Sequence, residues 1–321
     1  MSANANLHKA KDAKNDEFYT QLTDVAKELM HYKAHFKDKI VFCNCDDPTW
    51  SAFWKYFHLN FAELGLKKLI STHYDREEAT YKMEYTGGDD NDIEIGVKTP
   101  LEGNGDFRNK ECLDLLDASD IVVTNPPFSL FREYVAVLME YQKKFLIIGN
   151  RNALTYKEIF PLIRDNKLWL GNGFQNGNAY FRIPENTDTS GYAKGVYDET
   201  TKLVKFRNCV WFTNMDVAKR HEKIILWESY SHIKYPKYTA YDVIEVSKLA
   251  NIPADYDGVM GVPITFIDAY NPEQFEIIGM AEDNGRGFSG VAAKWDGSTP
   301  HCIINGKARY KRIFIRKKEG I

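Results

Sequence analysis

The residues with the clearest chemical meaning are Asn125-Pro126-Pro127-Phe128, which close the apolar run Ile121-Val122-Val123-Thr124. A short β-branched run of this kind predicts a buried parallel strand. Two successive prolines cannot continue its ladder, so the backbone must leave the sheet there. The exit places a side-chain amide, a free carbonyl and an aromatic ring at the C-terminal edge of a strand, where open α/β sheets bind their ligands. The chemistry this suits is transfer to an amine. A planar exocyclic NH2 is a poor nucleophile because its lone pair is delocalised into the ring that carries it. The Asn125 side-chain oxygen and the Pro126 carbonyl, both acceptors, could hold its two protons and leave the lone pair facing an electrophile. Phe128 could then stack on the ring. The same tetrapeptide is also ordinary turn chemistry, so its meaning depends on the rest of the chain.

The elements that must position this turn can be read in order. Residues 1–14 read as a mobile tail. The apolar spacing from Leu22 to Phe36 predicts a helix. Lys39–Cys43 is a short buried strand, followed by Asn44-Cys45-Asp46-Asp47-Pro48. Asp47 as N-cap with Pro48 at the first helical position predicts a helix placing Trp50, Phe53, Trp54, Phe57 and Phe61 on one face. A strand over Lys68–Thr72 ends at His73-Tyr74-Asp75, and Tyr81–Thr86 with Ile93–Val97 reads as a hairpin. A tight loop, Gly103–Phe107, precedes a short helix around Cys112–Leu116. The Asn125 strand, a helix over Leu130–Leu138 and a strand over Phe145–Gly149 follow. This alternation predicts an α/β fold with a doubly wound, mainly parallel sheet, and Asp46, Asp75 and Asp106 on one edge.

Beyond Asn150 the pattern changes to antiparallel strands over Ala179–Ile183, Leu203–Phe206, Cys209–Thr213 and Lys223–Trp227. The last third carries further strands over Tyr241–Leu249, Val262–Ile267, Phe275–Met280 and Tyr310–Arg316. The expected division is therefore a domain over 15–214 and a mixed α/β section over 215–321.

Composition narrows the class. The 321 residues, 44% apolar and 14% aromatic, predict a folded protein with a sizeable core. No apolar run approaches the ~20 residues of a membrane span, and Met1–Lys14 has no signal-peptide core, so a cytoplasmic location is expected. The five scattered cysteines argue against a disulfide framework. Cys43-Asn44-Cys45 lacks zinc-knuckle spacing, and no metal site is expected. Net charge is −3, yet Lys307, Arg309, Lys311, Arg312, Arg316, Lys317 and Lys318 form a basic end. That stretch reads either as a solvated edge strand or as phosphate contacts through Arg312 and Arg316.

Other catalytic classes drop out. Gly285-Arg286-Gly287-Phe288-Ser289-Gly290 fits a dinucleotide-binding pattern, but no uninterrupted helix and no acidic residue follow as that fingerprint requires. A flexible loop able to carry Asn284 and Arg286 to DNA is the better reading. There is no Pro-Cys pair, G-x-S-x-G, H-E-x-x-H or phosphate-binding G-x-x-x-x-G-K-[ST].

With these residues assembled, the chain resembles the EcoRI-type DNA adenine-N6 methyltransferases. The resemblance rests on Leu7–Lys11 with Asp16-Glu17-Phe18-Tyr19-Thr20, on Val41–Pro48, on Leu64–Ile70 and on Asn125–Phe128. Like that group, the chain has no Gly-rich loop after its first strand. The resemblance implies a Rossmann-like catalytic domain that uses S-adenosylmethionine, and a C-terminal section that selects the DNA sequence. It implies Asn125, Pro126, Pro127 and Phe128 as the catalytic motif. It places Phe18, Tyr19 and Thr20 near the methionine end of the cofactor and Asp46 near its amino group, with Asn44 among the cofactor-binding residues. Asp75 would take the ribose, and Asp106 with Phe107 the adenine. It further implies base flipping in double-stranded DNA, a monomer, and a restriction-modification or epigenetic role, with any cognate endonuclease sharing the site without a stable complex. Methylation of RNA or of a protein glutamine amide poses the same electronic problem, and a non-catalytic DNA-binding module is the alternative of a different class.

Overall fold

The computed structural model describes residues 19–75, 79–174, 177–183, 189–281, 302–309 and 311–318. The expected tail over 1–14 and the Gly285–Gly290 loop lie outside them. The chain divides into two compact units, Met1–Ile163 with Leu168–Asp216, and Arg164–Lys167 with Val217–Ile321.

The first unit opens with strand β1 (Tyr19–Thr20) and helix α1 (Leu22–Leu29), which tightens into a 3-10 turn over Met30–His35. Strand β2 (Ile40–Cys43) leads to helix α2 (Ala52–Leu59), the short α3 (Phe61–Leu64) and strand β3 (Lys68–Thr72). Helix α2 begins later than the Asp47-Pro48 pair predicts. Its N-cap is Ser51, whose Oγ accepts from the Phe53 and Trp54 amides at 3.1 and 3.2 Å, while Asp47 opens a separate turn ahead of it, its Oδ1 accepting from the Thr49 amide at 2.9 Å and its carbonyl from the Ser51 amide at 2.7 Å. Trp50 consequently precedes the helix and is 62% exposed, whereas Phe53, Trp54 and Phe57 fill the core.

Strands β4 (Tyr81–Tyr85) and β5 (Val97–Pro100) form the hairpin. Its second strand starts later than expected because Asp89 and Asp92 accept the amides of Asn91 and Glu94, holding the intervening chain in local turns. Helix α4 (Lys110–Ala118), strand β6 (Ile121–Thr124), helix α5 (Phe131–Glu140) and strand β7 (Lys144–Asn150) follow. Helix α6 (Phe160–Arg164) and strand β8 (Trp169–Leu170) precede β9 (Asn178–Arg182), β10 (Tyr197–Asp198), β11 (Leu203–Arg207) and β12 (Cys209–Thr213).

Among the described residues the main sheet has eight strands in the order β5-β4-β3-β2-β6-β7-β12-β8. Its centre is parallel, β3 with β2, β2 with β6 and β6 with β7. The flanks are antiparallel, so the sheet is mixed rather than mainly parallel. The difference comes from the β4–β5 hairpin on one side and from β12, whose five buried residues join β7 instead of the later strands. Every residue of β6 is buried, as its apolar run requires. Gly149 on β7 is a close-approach position: a Cβ there would strike the Phe131 ring. Phe131 is thus the aromatic plug beneath α5. A second sheet, β1-β9-β11-β10, is antiparallel throughout.

The second unit contains β13 (Ile244–Glu245), β14 (Met260–Pro263), β15 (Phe275–Met280), β16 (Ile303–Ile304), β17 (Lys307–Ala308) and β18 (Arg312–Lys317). Their main sheet runs β13-β14-β18-β15. The basic strand β18 therefore lies between two neighbours and is no solvated edge. Its Ile313, Phe314 and Ile315 are buried, and Phe314 packs with Tyr238, Tyr241, Val243, Val259 and Ile278. The strand expected over Lys223–Trp227 is absent. There Gln274 satisfies both the Ile224 amide and its carbonyl, at 2.8 and 2.7 Å. Strand β14 stops at Pro263 and passes into a 3-10 turn, Ile264–Ala269. No helix among the described residues is long and apolar enough to cross a membrane.

Candidate active site

Strand β2 has β3 on one side and β6 on the other, and the chain reaches them in that order. The loops leaving β2 and β6 therefore diverge from neighbouring C-terminal ends, where a crevice opens for a ligand. Asn44, Asp46 and Asn125 occupy these two loops.

The β2 loop is held by side chains at the ends of adjacent strands. Asn44 is buried, and its Oδ1 accepts from the Cys45 amide at 3.0 Å and from Thr72 Oγ1 at 3.1 Å. Cys45 has a left-handed backbone, φ +66°, which turns the chain sharply and sends Asp46 toward β6. Asp46 Oδ1 accepts from Ser51 Oγ at 3.2 Å. Its Oδ2 contacts the Thr124 hydroxyl and lies 3.4 Å from the Asn125 amide nitrogen. The Thr124 hydroxyl also contacts the Asn44 carbonyl. Burial, reinforced by the charge of Asp47, pushes the Asp46 carboxyl up to about 7, although hydrogen bonds from Thr124, Ser51 and the Asn125 amide oppose the rise.

Asp47 behaves oppositely. Burial would raise its carboxyl, but bonds from His73 and Thr49 prevail and hold it far below the usual carboxylate range. His73 Nδ1 sits 3.1 Å from Asp47 Oδ2, and the Tyr81 hydroxyl donates to Oδ1 at 3.0 Å.

The loop after β3 meets the loop that carries Asp106. The Asp75 amide donates to the Asn104 carbonyl at 3.2 Å. Gly105, at φ +74°, passes so close to the His73 carbonyl that a Cβ would collide with it. Asp106 accepts a two-pronged bond from Arg108, Nε at 2.8 Å and Nη2 at 2.6 Å, and Arg108 also reaches Glu133 at 3.3 Å. Phe107 is buried edge-on against Tyr134, ring centres 4.9 Å apart.

Pro126 and Pro127 lead from Asn125 into a single 3-10 turn, Phe128–Leu130. Phe128 is half-buried, its ring edge-on to Phe206 at 6.4 Å, and Phe206 packs against Phe181 at 5.4 Å. Thr20 pairs with Phe181 across the β1–β9 ladder, which ties the N-terminal motif to the strands beside Phe128. The Thr20 hydroxyl is buried and has no hydrogen-bond partner among the described residues. Buried hydroxyls are nearly always bonded, so this one suits a polar ligand. An aminoacyl cofactor fits the donor set: a hydroxyl at Thr20, and carboxylates at Asp46, Asp75 and Asp106 for an amino group and hydroxyls.

The structure thus brings Asn44, Asp46, Asn125, Pro126 and Pro127 together through the loops of β2 and β6, and sets Asp75 beside the Asp106–Phe107 loop. Phe18, the Tyr19 side chain and Arg286 lie outside what is described. Arg312 has a partner within the protein. Its guanidinium is committed inside the second unit to Glu245, Nη2 at 2.6 Å and Nε at 3.1 Å, with both side chains about one-tenth exposed. Arg316, near the end of β18, is half-buried and makes no ion pair among the described residues. Sequence reasoning missed Thr124, Ser51, His73 and Arg108. The signal for Thr124 was a hydroxyl at the last position of an otherwise aliphatic strand, and for Arg108 a cation two residues after Asp106.

A family model described as adenine-specific methyltransferase EcoRI matches residues 6–318. The chain is 45% identical to the Type II methyltransferase M.EcoRI of Escherichia coli, over 99% of this chain and 98% of that protein. It is 36% identical to the Type II methyltransferase M.MpnI of Mycoplasma pneumoniae, over 98% and 99%. It is 35% identical to the Type II methyltransferase M.MgeORF184P of Mycoplasma genitalium, over 98% and 99%. No solved structure matches.

Proposed function

The chain belongs to the EcoRI family of adenine-specific methyltransferases, and from that membership we propose that it moves a methyl group from S-adenosylmethionine to N6 of an adenine in double-stranded DNA. As an enzyme it is a site-specific adenine methyltransferase, in line with relatives that are all named Type II methyltransferases. Methylation of RNA or of a protein amide, and a non-catalytic DNA-binding role, are not favoured.

The observation that carries the assignment of parts is the meeting of two loops at one carboxylate: Asp46 from β2 lies 3.4 Å from the backbone amide of Asn125 from β6. In the proposed arrangement Asp46 receives the cofactor's amino group with Asn44 shaping its loop, Thr20 offers its hydroxyl nearby, Asp75 takes the ribose hydroxyls, and Asp106 with Phe107 bounds the adenine. S-adenosylmethionine, when bound, supplies a methyl carbon on a positively charged sulfur. Asn125 Oδ1 and the Pro126 carbonyl accept the two N6 protons of an adenine turned out of the duplex. Holding both protons in acceptor bonds favours the pyramidal nitrogen that develops during transfer, and its lone pair then faces the methyl group. Pro127 fixes the direction of the chain, and Phe128 replaces the stacking the base has lost. No side chain needs to form a covalent bond.

The first unit, in this reading, is a Rossmann-like catalytic domain. The second, with Arg316 and the Arg286 loop, holds and selects the DNA. The protein acts as a monomer in the cytoplasm, and a cognate restriction endonuclease would share its recognition site without a stable complex. The test is to sequence plasmid DNA from a host expressing the protein. N6-methyladenine at one recurrent sequence supports the proposal, and its absence while the protein is folded and abundant refutes it.

A further inference from the structure

Thr124 ends the aliphatic strand β6 with a hydroxyl set between two acceptors, the carbonyl of Asn44 and Oδ2 of Asp46. A threonine hydroxyl carries one proton and can donate to only one of them at a time. The second contact then needs a proton from the other side, which a backbone carbonyl lacks and a carboxyl group has. Two arrangements follow. With Asp46 protonated, the carboxyl donates to Thr124 Oγ1 and Thr124 donates to Asn44. With Asp46 ionised, Thr124 turns its proton to Oδ2, and the same oxygen attracts the Asn125 amide, 3.4 Å away. Hydrogen bonds to an ionised acceptor are shorter and stronger than those to a neutral one. The backbone of Asn125 is therefore held more firmly in the second arrangement.

We propose that Asp46 and Thr124 are positioning residues that lock the Asn125 loop when the cationic amino group of the methyl donor arrives beside Asp46. The inference rests on the cofactor reading of Asp46 given above and adds a coupling between cofactor binding and readiness for the adenine. The surroundings of Asp46 favour the protonated arrangement in the empty protein. Its partners are hydroxyl and amide donors, its charged neighbour Asp47 repels a second negative charge, and burial opposes ionisation. Around it, Cys43, Cys45 and Tyr134 are kept neutral by burial, and Asp106 is engaged by Arg108. An entering ammonium reverses that balance and releases the Asp46 proton to solvent. Cofactor charge is thereby converted into a tighter grip on the loop that holds N6.

The experiment uses S-adenosylhomocysteine, which has the amino group but no transferable methyl, with the full-length wild type, Thr124→Val, Thr124→Ser and Asp46→Asn. Four quantities are read: affinity and proton release by calorimetry in buffers of different ionisation enthalpy, amide hydrogen exchange over residues 124–131, and kcat with S-adenosylmethionine and DNA. In the wild type at neutral pH the ligand should release protons and slow exchange at Asn125. Thr124→Val, nearly isosteric, should bind within a few fold, lose the added protection and lose about 10- to 100-fold in kcat, the range for a hydrogen bond to a charged group. Thr124→Ser should restore protection and turnover together, which a purely structural defect would not predict. Wild-type protection and kcat in Thr124→Val overturn the coupling, as does failure of Thr124→Ser to restore them. Unchanged affinity in Asp46→Asn overturns the pocket assignment and the coupling with it. Weakened affinity there, with Thr124→Val behaving as wild type, overturns the coupling alone. If Thr124→Val does not fold, Asp46→Asn decides alone: ligand-induced protection at Asn125 should be absent from it, and its retention overturns the proposal.

Discussion

Asp46 and Glu245 are both carboxylates drawn away from bulk water beside a sheet, one in each unit, and they are treated in opposite ways. Glu245 has a cation: Arg312 grips both of its oxygens, and the Tyr238 hydroxyl adds a third contact. Among the described residues Asp46 has only neutral donors, from Ser51, Thr124 and the Asn125 amide. The first group is complete within its own unit. The second has no cation beside it among the described residues, as the proposed cofactor site requires. A sequence containing both residues gives no hint of the difference, because the partner that settles each one lies dozens of positions away.

The comparison is broken most severely from the closed side. Arg312→Leu leaves the Glu245 carboxylate buried without its cation and should destabilise the protein by about 3–5 kcal/mol, measured by urea unfolding. Glu245→Leu combined with Arg312→Leu should recover most of that loss, since a buried pair replaced by apolar groups is often neutral. Intact stability with abolished DNA binding in Arg312→Leu would instead place Arg312 at the DNA interface.

On the open side the effect moves from folding to binding. Asp46→Ala should weaken S-adenosylmethionine binding by about 1–3 kcal/mol, and calorimetry showing unchanged affinity would place the pocket elsewhere. The pH dependence has a definite sign. Asp46 keeps its proton up to about 7 in the folded chain, against about 4 when unfolded. Between those values the folded state binds more protons, so this residue's contribution makes stability fall as pH rises through the window and level off above it. In Asp46→Asn that part of the slope should vanish.

Phe128 sharpens the contrast between packing and function within the first unit. Phe131 fills the space against Gly149 and Phe212, which leaves Phe128 half-buried against Phe206. Phe128→Ala should therefore lower methyl transfer about 10- to 100-fold, the equivalent of one lost base–aromatic stack, while Phe128→Trp keeps substantial activity. A fall of many degrees in melting temperature in Phe128→Ala would return it to the core. The smallest effect belongs to Arg316. Arg316→Glu should reduce the salt dependence of DNA binding by about one unit of slope, and an unchanged slope would remove β18 from the interface.

What could be read beforehand follows the range of the forces involved. The strands over Lys68–Thr72 and Ile121–Thr124 were legible to the residue, because a buried parallel strand needs only a contiguous apolar run. The exit of the chain from the sheet at Asn125 and its prolines was legible because backbone restriction is local. The start of α2 was not. Asp47-Pro48 carries a strong local cap signal and does open a turn, with Asp47 Oδ1 taking the Thr49 amide, but that turn stops short of Ser51, whose Oγ caps the helix proper. The pairing of β12 with β7 and the interior position of β18 were hidden because both are set by partners far along the chain. The Glu245 partner of Arg312 was hidden likewise, because charge density along the chain carries no sign of a counter-charge 67 positions away.

The central claim is that Asn125 acts on N6 during transfer and not on the resting cofactor. The most direct test compares wild type with Asn125→Ala in two assays on the same preparation: S-adenosylmethionine affinity by calorimetry, and methyl incorporation into duplex DNA followed as N6-methyladenine by mass spectrometry. Affinity should stay within a few fold, while the rate of methylation falls by at least about 100- to 1000-fold, as expected when a preorganised acceptor for the transition state is removed. Methylation by Asn125→Ala at the wild-type rate would contradict the assignment.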